Sequence, residues 1–324
     1  MRVFVTGATG WIGSAVVKDL LSSGHKVTGL TTTPDGARRL QALGAEARVG
    51  RLHNHALLRE VAAESDGVIH LAFIHGLANM SLLTRLRLFA GVLNGGIVQS
   101  FLRILAETEG GAIQALGAGL ENSKRPLVVA SGILSLPQGK VSTERDDHVP
   151  TGPNRSFSET AALDLIARGV RSSIVRLPPT VHGAGEHGFM TRIIAAARNK
   201  RVSPYIGDGA NRWPAVHVSD AARLFRLALA KGEAGAKFHG VDDVGVPFRE
   251  IASLIATKLN VPTVGIPAAK AGKHFGIIGN FVGLDNPASS EWTRNALTWR
   301  PEKPGLLADM DAYYFGSVGL AAAA

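Results

Sequence analysis

The chain opens on Val3-Phe4-Val5-Thr6-Gly7-Ala8-Thr9-Gly10-Trp11-Ile12-Gly13, in which a short apolar run leads into a turn with a glycine at every third position. Ile12, Val16 and Leu20 then recur every four residues, which predicts a helix with one face turned toward a core. The order of strand, glycine turn and helix is typical of the first unit of a sheet that binds a dinucleotide.

Each glycine of this turn has a separate task in such a unit. Gly7 allows a tight turn, Gly10 lets the backbone approach phosphates, and Gly13 lets the helix pack closely on the sheet. The helix N-terminus adds N–H groups and the positive end of a dipole. We therefore expect a dinucleotide diphosphate to bind here, held by Gly7, Thr9, Gly10, Trp11, Ile12 and Gly13.

Apolar runs and helical patterns alternate along the following residues. Further buried strands are predicted at residues 26–30, 45–49, 67–72, 126–131 and 172–177. Helices are predicted between them at residues 35–43, 55–64, 80–107 and 157–168. This alternation predicts an α/β fold with a doubly wound, Rossmann-like parallel sheet.

The pattern changes after Leu177, where glycine, proline and aromatic residues become frequent. Two more helices are predicted, at residues 219–231 and 248–259, and a loop-rich tail runs from residue 262. We predict a dinucleotide-binding domain over residues 1–177, to which 216–242 returns. Residues 178–215 and 243–320 should form a smaller C-terminal substrate lobe over the carboxyl ends of the strands.

Composition narrows the class of protein. The 324 residues include no cysteine, so disulfides and cysteine-ligated metals are excluded, and we predict no metal site. The first residues form a strand rather than a signal sequence, and polar residues interrupt the most apolar stretch, 83–105, so a cytoplasmic protein is expected. The net charge of +9 comes from scattered residues without interleaved aromatics. We therefore expect neither a nucleic-acid nor a membrane partner.

A series of motifs in chain order resembles the extended short-chain dehydrogenase/reductase superfamily, and within it the atypical members related to NAD-dependent epimerases and dehydratases. The resemblance spans almost the whole chain. It is carried by Thr6–Gly13, Gly50-Arg51-Leu52, His70-Leu71-Ala72, Ala130-Ser131-Gly132, Ser158-Glu159, Arg176–Gly183, Val216–Ala222 and Trp299-Arg300-Pro301.

The resemblance implies catalysis by a serine after the fifth strand, matched by Ser131, and by a Tyr-x-x-x-Lys pair. Counting back from Glu159 puts Thr151 at the tyrosine position and Arg155 at the lysine position. A threonine hydroxyl is too weak an acid for that role, and Arg155 stays protonated, so it would act only electrostatically. Candidate replacements for the tyrosine are Ser131, His182, His187, His217, Tyr205 and water.

The end of the second strand bears on the choice of coenzyme. NAD sites place an acidic residue there, but this strand runs through Thr31 and Thr32 with no acid before Asp35. Arg38 in the next helix and Arg51 after the third strand favour a 2′-phosphate, hence NADP(H) over NAD(H). By resemblance, the remaining coenzyme contacts are Thr32, Leu52, Leu71, Ala72, Arg155, Pro178 and Val181.

The predicted substrate lobe carries a segment, residues 206–217, that resembles the diphosphate-binding segment of sugar-nucleotide enzymes. Arg212 matches its arginine, whereas Trp213 and Pro214 replace its usual acidic and aromatic pair. We expect His182, Tyr205, Arg212 and Trp213 to bind a small carbonyl compound, with packing of Trp213 between lobes as the alternative.

Three functions agree with this sequence. The first is an NADP(H)-dependent oxidoreductase that transfers a hydride to or from a carbonyl or hydroxyl group of a small organic substrate. The second is an enzyme similar to sugar-nucleotide epimerases and dehydratases. The third is a catalytically silent NADP(H) sensor. The resemblance also implies a homodimer formed through the helical stretch 80–107.

Overall fold

The computed structural model describes residues 1–73, 97–149 and 156–316. Its first part alternates strands and helices. These are β1 (Arg2–Thr6), α1 (Trp11–Ser22), β2 (Lys26–Thr31), α2 (Pro34–Ala42), β3 (Glu46–Val49), α3 (His55–Glu64), β4 (Gly67–His70), α4 (Ile97–Leu120), β5 (Pro126–Gly132), α5 (Ser156–Leu163) and β6 (Arg171–Leu177).

The second part has shorter elements. These are β7 (Thr180–His182), α6 (Phe189–Lys200), β8 (Ser203–Ile206), β9 (Arg212–His217), α7 (Val218–Lys231), β10 (Lys237–His239), β11 (Asp243–Pro247), α8 (Phe248–Leu259), β12 (Thr263–Ile266), α9 (Ala271–Phe275), α10 (Gly279–Val282), α11 (Glu291–Leu297) and α12 (Leu306–Tyr313).

The main sheet has seven strands in the order β10-β6-β5-β4-β1-β2-β3. β1 pairs in parallel with both β2 and β4, so that Phe4 lies opposite Thr28 on one side and Val68 on the other. The chain therefore winds outward from β1 in both directions, and this confirms the doubly wound Rossmann-like sheet. Two smaller sheets follow, β11-β9-β7 and β12-β8.

Several predicted elements differ from the observed ones. The predicted helix 80–107 lies partly outside the described residues, and the helix that is described, α4, continues to Leu120. The tail is not loop-rich as expected, because it holds β12 and four short helices. These elements are four to eight residues long, too short for a hydrophobic period to be read from sequence.

The described chain forms two compact units, each with residues from three stretches. The first draws on Met1–Ser131, Arg155–Ile174 and Ala228–Ala236, and the second on Gly132–Asn154, Val175–Leu227 and Lys237–Ala324. Each unit has its own apolar core. Phe4, Leu58, Ile113 and Leu127 are among the core residues of the first, and Ile193, Trp213 and Phe248 of the second. None of the helices in the described ranges is long and apolar enough to cross a bilayer.

Candidate functional site

The glycine turn between β1 and α1 is packed so tightly that Gly7 and Gly13 have no room for a side chain. Gly7 has φ +68°, and a Cβ there would lie 2.8 Å from the backbone N of Ala72. A Cβ on Gly13 would lie 1.9 Å from the carbonyl oxygen of Gly7. The turn is also closed by a 3.0 Å hydrogen bond from Gly10 N–H to Gly7 O. The backbone of the turn is therefore fixed by contacts that only glycine allows.

The N-terminus of α1 suits an anionic ligand. Gly10 is the N-cap residue and supplies no side-chain hydrogen bond, and the first turn contains no acidic residue. A helix beginning in this way satisfies its first N–H groups with water or a ligand and presents the positive end of its dipole. Thr9 and Trp11 flank Gly10, and Ile12 follows in the first turn, so the predicted diphosphate-binding residues are contiguous here.

The threonine before the turn joins the ends of two neighbouring strands. The Thr6 hydroxyl lies 2.8 Å from His70 Nδ1 and accepts a hydrogen bond from Ala72 N–H at 3.3 Å. Leu71 N–H donates to the Thr6 carbonyl at 3.3 Å. Leu71 and Ala72, predicted as coenzyme contacts, are thus held beside Gly7. Thr6 and His70 were missed as positioning residues, although both stand at strand ends beside predicted site residues.

Ser131 lies at the carboxyl end of β5, the position predicted for the catalytic serine. Its side chain is 1 % exposed, and its hydroxyl has no hydrogen-bond partner among the residues that the structure describes. Buried hydroxyls are nearly always paired in folded proteins, so this one has a capacity that a ligand can fill. Thr151 and Arg155, the other predicted catalytic residues, lie outside the described residues.

The segment after β2 carries residues predicted to bind the 2′-phosphate or 2′-hydroxyl of the coenzyme ribose. Thr33 caps α2 by accepting a hydrogen bond from Gly36 N–H at 3.0 Å, and the neighbouring Thr32 is exposed. Asp35 forms ion pairs with Arg38 at 3.3 Å and Arg39 at 3.4 Å. One carboxylate therefore offsets only one of these two cations.

The two predicted residues after β3 differ in environment. Arg51 is exposed and has no ion pair with any described residue, so its charge adds to that of the α2 arginines within the same unit. Leu52, by contrast, packs against the core of the first unit. The three arginines Arg38, Arg39 and Arg51 thus outnumber the one carboxylate, that of Asp35, that forms ion pairs with any of them.

The second unit holds the predicted substrate residues, and its geometry changes the interpretation of Arg212. The Arg212 guanidinium donates to both carboxylate oxygens of Asp285, Nε at 3.0 Å and Nη2 at 2.8 Å, and its backbone N–H donates at 2.7 Å. The guanidinium holds the pKa of Asp285 below its usual range, so the pair is ionised at neutral pH. Arg212 is therefore already neutralised by its own chain.

The two predicted aromatic substrate residues have different settings. Trp213 is fully buried and packs against Phe189 and Phe248, at ring distances of 5.8 and 5.3 Å, within the core of the second unit. Tyr205 is half-buried, and the guanidinium carbon of Arg249 lies 5.3 Å from its ring centre. Tyr205 is thus the more accessible of the two.

His182 belongs to a buried polar group in the second unit. Its Nδ1 lies 2.9 Å from Asp309 Oδ2, and His217 Nε2 lies 4.0 Å from Asp309 Oδ1. Burial, and next the neighbouring His182, lower the pKa of His217. Pro178 and Val181, predicted as coenzyme contacts, lie just before and within β7 in this unit. In the described ranges no group of three or more histidine or acidic side chains could hold a metal ion.

Comparison with known proteins gives the class and then the family. A sheet wound from β1 with a glycine turn before α1 defines a dinucleotide-binding α/β protein. The model of the NAD dependent epimerase/dehydratase family matches residues 3–95 and 106–242, and the chain belongs to this family.

Individual relatives agree with that membership. The chain is 41% identical over 319 residues to the uncharacterized protein C2A9.02 of Schizosaccharomyces pombe, covering 97% of this chain and all of that protein. It is 26% identical to a farnesyl-dihydroquinoline-oxide ketoreductase of Stigmatella aurantiaca, over 85% of this chain and 80% of that one. A crystal structure of the dTDP-glucose 4,6-dehydratase DesIV from Streptomyces venezuelae, with NAD bound, shares the fold at a TM-score of 0.74. Its identity is 18%, over 99% of this chain and 98% of that one.

Proposed function

We propose that this chain is an NADP(H)-dependent oxidoreductase that acts on a carbonyl or hydroxyl group of a small, uncharged organic substrate. The observation that carries the proposal is the turn in which Gly7 and Gly13 leave no space for a Cβ, followed by a helix without a side-chain cap. Such a turn accommodates a diphosphate against backbone N–H groups. Bound there, a nicotinamide coenzyme supplies or accepts the hydride.

Preference for the 2′-phosphate follows from the charges after β2 and β3. Arg38 and Arg39 share the one carboxylate of Asp35, Arg51 has no ion pair with any described residue, and no acidic residue ends β2. A 2′-phosphate would gain from this excess, whereas a ribose hydroxyl would lack its usual carboxylate partner.

An uncharged substrate is favoured by the pairing of Arg212. In a sugar-nucleotide enzyme this arginine would have to meet a diphosphate, and here the edge formed by Nε and Nη2 is already bound to Asp285. Releasing the guanidinium would leave the Asp285 carboxylate without its cation, which is costly for a partly buried group. A ketone or aldehyde makes no such demand, and the related ketoreductase acts on a compound of that class by its name.

Proton transfer would differ from that of the relatives with a tyrosine. The three tyrosines, Tyr205, Tyr313 and Tyr314, have no lysine four residues after them. We assign the unpartnered hydroxyl of Ser131 to hydrogen-bond the substrate oxygen. By the resemblance, Arg155 and Thr151 would stabilise negative charge on that oxygen while water exchanges the proton.

The proposal is tested by titrating NADPH and NADH into the protein, followed by tryptophan fluorescence, and by turnover with a panel of aldehydes and ketones. We expect NADPH to bind at least tenfold more tightly than NADH. The double variant R38A/R51A should abolish this preference, and Arg48→Ala, on exposed β3, should leave it unchanged. Tight NADPH binding without turnover of any carbonyl would instead identify a sensor. Absence of binding by either coenzyme would refute the proposal.

A further inference from the structure

Two long segments of the second unit contain no acidic residue. They are residues 187–207 and 261–284, and the whole chain has 26 Asp and Glu residues. The first segment carries four basic side chains and the second carries two, which together supply six of the net +9 charge. The six are Arg192, Arg198, Lys200, Arg201, Lys270 and Lys273.

The fold brings these two segments side by side. β8 of the first pairs in parallel with β12 of the second, so that Ser203 lies opposite Thr263. Lys200 Nζ donates to the backbone carbonyl of Lys273, and α6 packs against α9. Within the described ranges, none of the six basic side chains lies within 4 Å of a carboxylate. The positive charge of this surface is therefore not neutralised by the chain.

The same surface exposes aliphatic side chains. Ile277 is 75% exposed and Val264 on β12 is 39% exposed, whereas most large apolar side chains of the unit are buried. Lys270 and Lys273 are three residues apart on adjoining helical turns, so they share one side, and Ile277 follows Gly276, whose φ of +62° ends the helix. We call the surface formed by Lys200, Lys270 and Lys273, with Val264 and Ile277, the basic aliphatic face.

We propose that the basic aliphatic face docks on a bilayer that contains anionic phospholipids. Lysine and arginine side chains are attracted to anionic headgroups, and an exposed aliphatic side chain among them can enter the boundary between headgroups and acyl chains. Binding to single-stranded nucleic acid relies instead on exposed aromatic rings that stack with bases, and the two most exposed apolar residues of this face are aliphatic. The expectation of no membrane partner depended on scattered basic residues, but the fold brings Lys200 beside Lys273, 73 residues further along the chain.

The test is co-sedimentation of the full chain with vesicles of phosphatidylcholine, with or without about one third phosphatidylserine. We expect at least tenfold tighter binding to the anionic vesicles, weakening as salt is raised. The variant K270E/K273E should lose at least tenfold in this binding, and I277S should lose severalfold. The matched control is K18E/K26E, which makes the same change of net charge at two exposed lysines of the first unit. The thermal midpoint of each variant checks its folding.

Three results would overturn the proposal. One is equal binding to neutral and anionic vesicles. Another is an equal loss of binding in K18E/K26E and K270E/K273E, which would indicate a non-specific effect of net charge. The third is tighter binding to single-stranded RNA than to anionic vesicles, with the same sensitivity to K270E/K273E, which would assign the face to nucleic acid.

Discussion

At the scale of single residues, the most constrained position is Gly13, where there is room for a hydrogen atom but not for a side chain beside the carbonyl oxygen of Gly7. Gly13→Ala would force its Cβ into that oxygen, since the unshifted distance is 1.9 Å. We expect a loss of about 1–3 kcal/mol in the free energy of unfolding, because such contacts are relieved only by backbone movement. NADPH affinity, measured by fluorescence titration, should fall at least tenfold because the moved backbone is the phosphate cradle.

A matched control lies in α4, where a Cβ on Gly110 would meet nothing within 4 Å. Gly110→Ala should stabilise the protein by about 0.5–1 kcal/mol, as expected for a helix interior, and should leave NADPH affinity unchanged. If both variants bound NADPH like the parent protein, the glycine turn would not be the coenzyme site.

Ser131 allows the effects on stability and on activity to be separated. Because its hydroxyl is buried without a partner, Ser131→Ala removes an unsatisfied polar group, and stability should change by less than about 0.5 kcal/mol. Loss of a hydrogen bond to the substrate oxygen should lower kcat/KM about a hundredfold. Ser172 on β6 also has a buried, unpartnered hydroxyl, so Ser172→Ala is the control and should retain full activity. Equal activity of the two variants would remove Ser131 from the site.

Single residues also mark where sequence reasoning failed. The glycines of the turn were predictable because Gly7, Gly10 and Gly13 form a recognisable spacing within seven residues of the chain, although the contact of Gly7 with Ala72 was not. The pairing of Arg212 was not, because Asp285 lies 73 positions away and carries no motif of its own. Trp213 could not be placed in the core from sequence because its ring packs on residues of two other elements, α6 and α8.

At the scale of elements, Arg125 joins the ends of two helices. Its guanidinium donates to the carbonyl oxygens of Ala62 and Ala63 in the last turn of α3, at 3.3 and 2.9 Å, and to Gly119 in the last turn of α4, at 2.7 Å. These carbonyls lie at the negative ends of the two helix dipoles, and that of Ala62 also accepts from the capping N–H of Ser65. One cation thus completes the termination of both helices.

We expect Arg125→Ala to lower the free energy of unfolding by about 3 kcal/mol, because several charge-assisted hydrogen bonds are lost together. Denaturant unfolding measures this change. Arg59→Ala, on the exposed side of α3, is the control and should cost less than about 0.5 kcal/mol. Similar unfolding midpoints for the two variants would contradict the role given to Arg125.

Element boundaries were predictable where a local signal ends the helix. The predicted range 248–259 coincides with α8, which follows Pro247 and stops at Asn260 in the left-handed conformation, φ +50°. By contrast, α6 was missed although Met190, Ile193, Ile194 and Ala197 have the helical spacing and are all buried. The surrounding glycines at 183, 185 and 188 hid that period, because glycine is typical of loops.

At the scale of the whole molecule, positive charge and buried histidines together determine the response to acid. Burial lowers the pKa of both His217 and His274, so the folded state binds fewer protons than the unfolded chain once pH falls below their ordinary value of 6.5. Stability should therefore decrease as pH falls below about 6.5 toward the lowered pKa values of the folded state, and this trend is measured by denaturant unfolding at several pH values. Added positive charge on a chain of net +9 acts in the same direction.

The contribution of a single histidine can be isolated by substitution. His274→Gln removes one group with a lowered pKa, so the dependence of stability on pH should become shallower. A slope that is the same in His274→Gln as in the parent protein would show that His274 takes no part in the acid response.

The doubly wound class of the main sheet was predictable from sequence, because alternating buried strands and helices can be connected in few ways. The small sheets were not. β7, β9 and β11 are three to six residues long, and their pairing joins segments that carry no shared pattern.

The interleaved composition of the two units has a consequence for synthesis on the ribosome. The first unit needs Ala228–Ala236, and the second begins at Gly132 and needs core residues of α12 such as Leu306 and Met310. The growing polypeptide therefore cannot complete the first unit until Ala236 has been translated, by which point much of the second unit has already been made. No truncation at one point, and no single proteolytic nick, can release either unit as an intact fragment.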